Sequence, residues 1–90
     1  MAKWKLELTE KFDFSFQKLN LVTQKRIYEF LHVKLLNHPD PQKLAKSLHG
    51  NLKGLHRYRV GDYRILVQIK KDILTIIAVD VSHRRNVYRN

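Results

Sequence analysis

The hydrophobic period of this sequence changes near Leu55 from that of a helix to that of a strand, and that change decides its fold class. From Phe12 to Leu35 the apolar residues recur at three- and four-residue spacing, the repeat of a helix face. From Leu55 to Val81 they alternate, the repeat of a strand with one buried side. Helices and sheet are therefore segregated along the chain, which predicts an α+β fold rather than an alternating α/β one. With 90 residues, 43% of them apolar, there is material for one core, so a single domain over residues 1–90 is expected.

Trp4-Lys5-Leu6-Glu7-Leu8 reads as a first strand with Trp4, Leu6 and Leu8 on one face. Thr9 can cap a short helix carrying Phe12, Phe16 and Leu19, with Asn20 as its stop. A second helix from about Val22 to Leu36 lines up Ile27, Phe30, Leu31 and Leu35, and Asn37-His38-Pro39-Asp40-Pro41 ends it. Asp40-Pro41 is a cap followed by a first-position proline, so one or two further helical turns are expected within Gln42 to Leu48. Three strands follow, giving the order β-α-α-β-β-β: two helices on one face of a small, mainly antiparallel four-stranded sheet.

Gly61-Asp62 between two alternating segments suits a two-residue hairpin loop. Val60 then pairs with Tyr63, Arg59 with Arg64, Tyr58 with Ile65 and Arg57 with Leu66. Parity sends Val60, Tyr58, Tyr63 and Ile65 under the helices and gathers Arg57, Arg59 and Arg64 on the other face. Arg59 opposite Arg64 is a like-charge pair, unfavourable unless an anion lies between them. A second two-residue turn at Lys71-Asp72 would pair Val67 with Ile76 and Leu66 with Ile77, and set Val79 opposite Arg64. On that register His83 emerges on the arginine face beside Arg84, with Tyr88 within reach.

Charge and composition narrow the function. Eighteen Lys and Arg against eight Asp and Glu leave a net charge of +10, a field that attracts polyanions. Six of the seven arginines lie beyond residue 56, so the C-terminal third is the expected anion site. The absence of cysteine removes disulfides, thiolate zinc sites, iron–sulfur clusters and thiol nucleophiles. His32, His38, His49 and His56 show no metal-ligand spacing with acidic partners, and no Gly-rich phosphate loop or nucleophile elbow occurs. No metal and no cofactor are expected. The longest apolar run, from Ile73 to Val79 with Thr75 inside it, is too short to cross a membrane, and the N-terminus lacks a signal-peptide core, so a cytoplasmic protein is expected.

Leu52-Lys53-Gly54-Leu55-His56-Arg57-Tyr58-Arg59-Val60-Gly61-Asp62-Tyr63-Arg64-Ile65-Leu66 and Val79-Asp80-Val81-Ser82-His83-Arg84-Arg85-Asn86-Val87-Tyr88 together resemble the RelE branch of the RelE/ParE toxin superfamily. The resemblance spans nearly the whole chain in element order. It implies the toxin of a type II toxin–antitoxin pair, a ribosome-dependent endoribonuclease that cleaves mRNA in the ribosomal A site by attack of the ribose 2′-hydroxyl. Carried over by position, it implies catalytic roles for Arg57, Arg59, Arg64, Arg84 and Tyr88, the tyrosine stacking on a base or orienting the attacking hydroxyl. Members often have lysine on the second strand. Arginine is a poor general base, so His83 is a candidate for proton transfer. Lys53, Arg57, Arg59, Arg64, Arg85 and Arg89 are the candidate RNA contacts. The implied partners are the ribosome with its mRNA and a cognate antitoxin, acidic and partly disordered when free. The alternative on the same fold is a ParE-like DNA gyrase inhibitor without nuclease activity.

Overall fold

Thr9 joins the first strand to the first helix and ties both to the far end of the chain. Its backbone N–H donates to the Ala78 carbonyl (3.1 Å), its hydroxyl donates to the Val79 carbonyl (2.8 Å), and the same oxygen accepts the Phe12 N–H (3.1 Å) as an N-cap. Around this junction a computed structural model describes residues 3–86. Strand β1 (Lys5–Leu8) leads to helix α1 (Glu10–Gln17) and helix α2 (Leu21–Glu29), which widens into a π-helical stretch over Phe30–Leu35. A 3-10 turn (Pro41–Leu44), a two-residue strand β2 (Lys46–Ser47) and a second 3-10 turn (Gly50–Leu52) precede the hairpin of β3 (His56–Val60) and β4 (Tyr63–Lys70). A 3-10 turn at Lys71–Ile73 connects to β5 (Thr75–His83), and a last one follows at Arg84–Asn86.

The sheet order is β1-β5-β4-β3-β2, with β1 parallel to β5 and the other pairs antiparallel. Phe12 from α1, Ile27 from α2, and Leu31 and Leu35 from the π-helical stretch pack on Tyr58, Ile65, Val67, Ile76, Ala78 and Val81, all buried. Ile27, Leu31 and Leu35 are four residues apart. That spacing overruns a 3.6-residue turn, and the wider π turn keeps the stripe on the sheet. The Gln24 side chain donates to the carbonyls of Phe16 (3.1 Å) and Leu19 (3.0 Å), fixing the corner between the helices.

The α+β class, both helices and the β3–β4 register agree with the sequence pattern. Four details differ. Asn20 does not stop α1 but caps α2, its side chain accepting the Thr23 N–H at 2.9 Å. Residues 42–48 make one 3-10 turn and then strand β2 on His56 and Arg57, so the sheet has five strands rather than four. The β4–β5 connection is a 3-10 turn closed by Leu74 at φ 49°, which pairs Lys70 with Thr75 and Val67 with Ala78 instead of Ile76. Finally, Leu66 pairs with Asp80, which leaves Val79 as a β-bulge. The bulge reverses side-chain parity beyond it. Val81 is core at 3% exposure, and Ser82 rather than Val79 faces Arg64.

Tyr58 ties the hairpin to the loop after the helices, its buried hydroxyl donating to the Pro41 carbonyl at 2.9 Å. Burial first, and the negative charge of Asp40 second, raise its pKa above the ordinary phenol range. The unfolded chain therefore loses this proton first as pH rises. Tyr58 contributes its full stability below about pH 10 and loses it above. Tyr58→Phe is expected to lower stability by about 1 kcal/mol at pH 7 and to make the decline above pH 10 shallower, both read by urea denaturation across pH.

Candidate nucleic-acid interface

The arginine face is built by the loop between β3 and β4. Gly61 takes φ 58° while Asp62 stays at negative φ, as a type II′ turn requires, so the two strands meet with no slack and Arg59 lies directly across from Arg64. The turn is clamped from both sides. Arg59 Nε and Arg64 Nη1 both donate to the Gly61 carbonyl at 3.4 Å. A Cβ on Gly61 would come within 3.2 Å of the Arg26 guanidinium, an exposed side-chain end that can move aside, so it is the positive φ that calls for glycine.

Arg57 lies beside Leu66, and Arg59, Arg64 and Ser82 form the next cross-strand row on the same, helix-free side of the sheet. Arg64 is 9% exposed, unusual burial for an arginine. Its pKa is lowered by that burial first and then by the positive charges of Arg59, Arg57 and Arg84, with Asp62 opposing. Three other guanidinium groups thus act on Arg64. Arg84 arrives from the turn after β5: its N–H donates to the Asp62 carbonyl (2.7 Å) and its Nε lies 3.8 Å from the Asp62 carboxylate. Both of these side chains are well exposed, so the ion pair orients Arg84 more than it stabilises the fold.

Arg57, Arg59, Arg64 and Arg84 are therefore brought together. His83 is not. The bulge turns it to the helix side, where its ring stands against Tyr63, its cross-strand partner. Lys53 sits in the loop leading into β3 and is not among the charges acting on Arg64, and Arg85 is exposed in the last 3-10 turn. Tyr88 and Arg89 lie outside the described residues. Three residues the sequence did not point to belong to this corner: Asp62 as the partner of Arg84, Arg26 over the turn, and Ser82. The Ser82 hydroxyl is buried with no hydrogen-bond partner among the described residues. Asp62 was legible as a turn residue only, and Ser82 was hidden by the unseen bulge.

An arginine amid like charges, with planar guanidinium donors from its neighbours, suits a phosphodiester oxygen. The comparisons agree with this reading of the fold. Residues 6–88 match the family model of the ParE toxin of the type II toxin–antitoxin system parDE, and the chain belongs to this RelE/ParE superfamily of toxins. It is 36% identical over 61 residues to Toxin RelE of Mycobacterium tuberculosis, covering 68% of this chain and 61% of that protein. It is 34% identical over 50 residues to Toxin RelG of the same organism, covering 56% of this chain and 58% of the relative. Among solved structures, the toxin–antitoxin complex RelBE2 of Mycobacterium tuberculosis contains a chain that superposes with a TM-score of 0.84 at 26% identity, covering 96% of this chain and 97% of that one.

Because the charges of Arg57, Arg59 and Arg84 converge on Arg64, a polyvalent anion should stabilise the fold beyond the effect of ionic strength. Phosphate at about ten times its dissociation constant is expected to raise Tm by several degrees relative to chloride at matched ionic strength, and Arg64→Met to remove the difference. Differential scanning fluorimetry measures both.

Proposed function

We propose that this chain is a ribosome-dependent endoribonuclease, the toxin of its pair, which cleaves mRNA in the ribosomal A site and is restrained by a cognate antitoxin. The observation that carries it is the placement of Arg57, Arg59 and Arg64 on one sheet face, where Arg57, Arg59 and Arg84 all act electrostatically on Arg64. In the reaction the ribose 2′-oxygen forms a bond to the adjacent phosphorus as the bond from phosphorus to the 5′-oxygen breaks. The 2′-hydroxyl proton leaves and the 5′-oxygen gains one. Charge building on the nonbridging oxygens is what fixed guanidinium groups stabilise best, since they are oriented before the substrate arrives. Tyr88 keeps the stacking or orienting role that the resemblance implies, and Lys53, Arg85 and Arg89 keep the RNA-contact role expected of them from the sequence.

The antitoxin has two supports. The RelBE2 structure is of a toxin–antitoxin complex. On this chain Phe14, Leu21, Val22, Tyr28 and Val33 leave 54–80% of their surface exposed on the helix layer, beside a charge of +10, a surface that an acidic amphipathic peptide would cover. No helix among the described residues is long and apolar enough to cross a membrane, compatible with action in the cytoplasm where ribosomes are.

A second reading has one observation in its favour, the description of the matching family as ParE toxins. On it the chain would bind DNA gyrase and perform no RNA chemistry. Primer extension on a defined message, translated in a reconstituted system with purified protein, separates the two. Cuts inside A-site codons that require ribosomes are expected, with Arg84→Ala and Arg64→Ala each reducing the rate by at least a hundredfold at unchanged fold. An intact message beside inhibited gyrase supercoiling would support the second reading.

A further inference from the structure

His83 faces away from the arginines, yet two contacts link it to the segments that carry them. Its ring stands edge-on to Tyr63, centroids 5.2 Å apart and planes at 83°, and Tyr63 is the residue that follows the Gly61-Asp62 turn. Its Nδ1 accepts the backbone N–H of Arg85 at 3.2 Å. The neighbouring N–H, that of Arg84, is taken by the Asp62 carbonyl at 2.7 Å. The chain leaving β5 is thereby held by two successive N–H groups, one anchored to the imidazole and one to the turn on which that imidazole rests.

A ring nitrogen that accepts a backbone N–H cannot carry a proton, so the neutral imidazole has its proton on Nε2. A proton carrier must stand within hydrogen-bond reach of the reacting atoms, directly or through one water. The bulge at Val79 puts this ring on the opposite side of the sheet from Arg59 and Arg64. What the ring does touch is the segment that delivers Arg84.

We infer that His83 is a positioning residue, a neutral imidazole braced on Tyr63 whose Nδ1 fixes the Arg84–Asn86 turn and so aims the Arg84 guanidinium into the cluster with Arg57, Arg59 and Arg64. This deepens the nuclease reading and rests on it only for its activity measurement. Without the imidazole, the direction of Arg84 depends on a backbone bond to Asp62 and an exposed ion pair.

Two substitutions in the full chain separate positioning from chemistry. Asparagine puts an amide oxygen where Nδ1 stands and can keep the bond to the N–H two residues on, as an Asx turn, whereas glutamine puts its amide near the Nε2 position and cannot. Amide exchange at Arg85 is expected to be at least tenfold faster in His83→Gln than in His83→Asn. The kcat for A-site cleavage should be at least tenfold lower in His83→Gln than in His83→Asn. Imidazole nitrogen shifts in the wild-type chain should report Nδ1 without a proton. Equal loss of kcat in both variants with Arg85 protection intact would overturn the proposal in favour of direct proton transfer. Arg85 exchange that neither variant changes would overturn it outright. Should the wild-type chain cut no message, the nuclease reading falls, and the exchange and nitrogen-shift measurements still decide the role of His83.

Discussion

The extra residue in β5 is the constraint on which both faces of this sheet depend. With Val79 bulged, Ile76, Ala78 and Val81 all reach the core although their spacing breaks strict alternation, and Ser82 comes opposite Arg64. A bulge disturbs the ladder locally, and here the freed geometry is used. The Val79 carbonyl accepts the Thr9 hydroxyl, and the Asp80 carboxylate accepts both the Val81 N–H (2.9 Å) and the Ser15 hydroxyl (2.6 Å). Helix α1 is thus fastened to the strand at the point where the strand changes register. The same step that completes the core also sends His83 inward and leaves Arg84 free to turn toward Asp62.

Clustering four arginines is unfavourable in the absence of opposing charge, and the β3–β4 turn supplies acceptors for three of them. Carbonyls of Gly61 and Tyr63 receive the Arg64 side chain, Gly61 also receives Arg59, and the Asp62 carboxylate pairs with Arg84 and, among the described residues, raises the Arg64 pKa. The two-residue turn is therefore a structural corner and an electrostatic device at once, and Gly61 is the residue that permits both.

How much of this was legible follows from where the sequence carries a geometric signal. The β3–β4 register could be read because Gly61-Asp62 leaves one way to pair the strands, and with it came Arg57, Arg59 and Arg64 on one face. The β4–β5 register could not. Its connection is closed by Leu74 at positive φ, a conformation that glycine or asparagine would have advertised and leucine does not, and the bulge at Val79 lies within an unbroken apolar run. One unseen residue moved His83 from the site to its support and hid Ser82. Strand β2 was missed because two residues show no period. Asn20 was read as a stop because capping residues look alike at either side of a short inter-helix turn.

The central claim is that these four arginines act as one phosphodiester site. The most direct measurement is an NMR titration that follows the arginine Nε–H signals while a short single-stranded RNA with 2′-O-methyl riboses, which binds but cannot be cleaved, is added to the full chain. Arg57, Arg59, Arg64 and Arg84 should shift together along one binding curve, with the backbone amides of Lys11 and Lys25 on the helices, read in the same spectra, unaffected. Shifts centred on those helices, with the four arginines unmoved, would contradict the account.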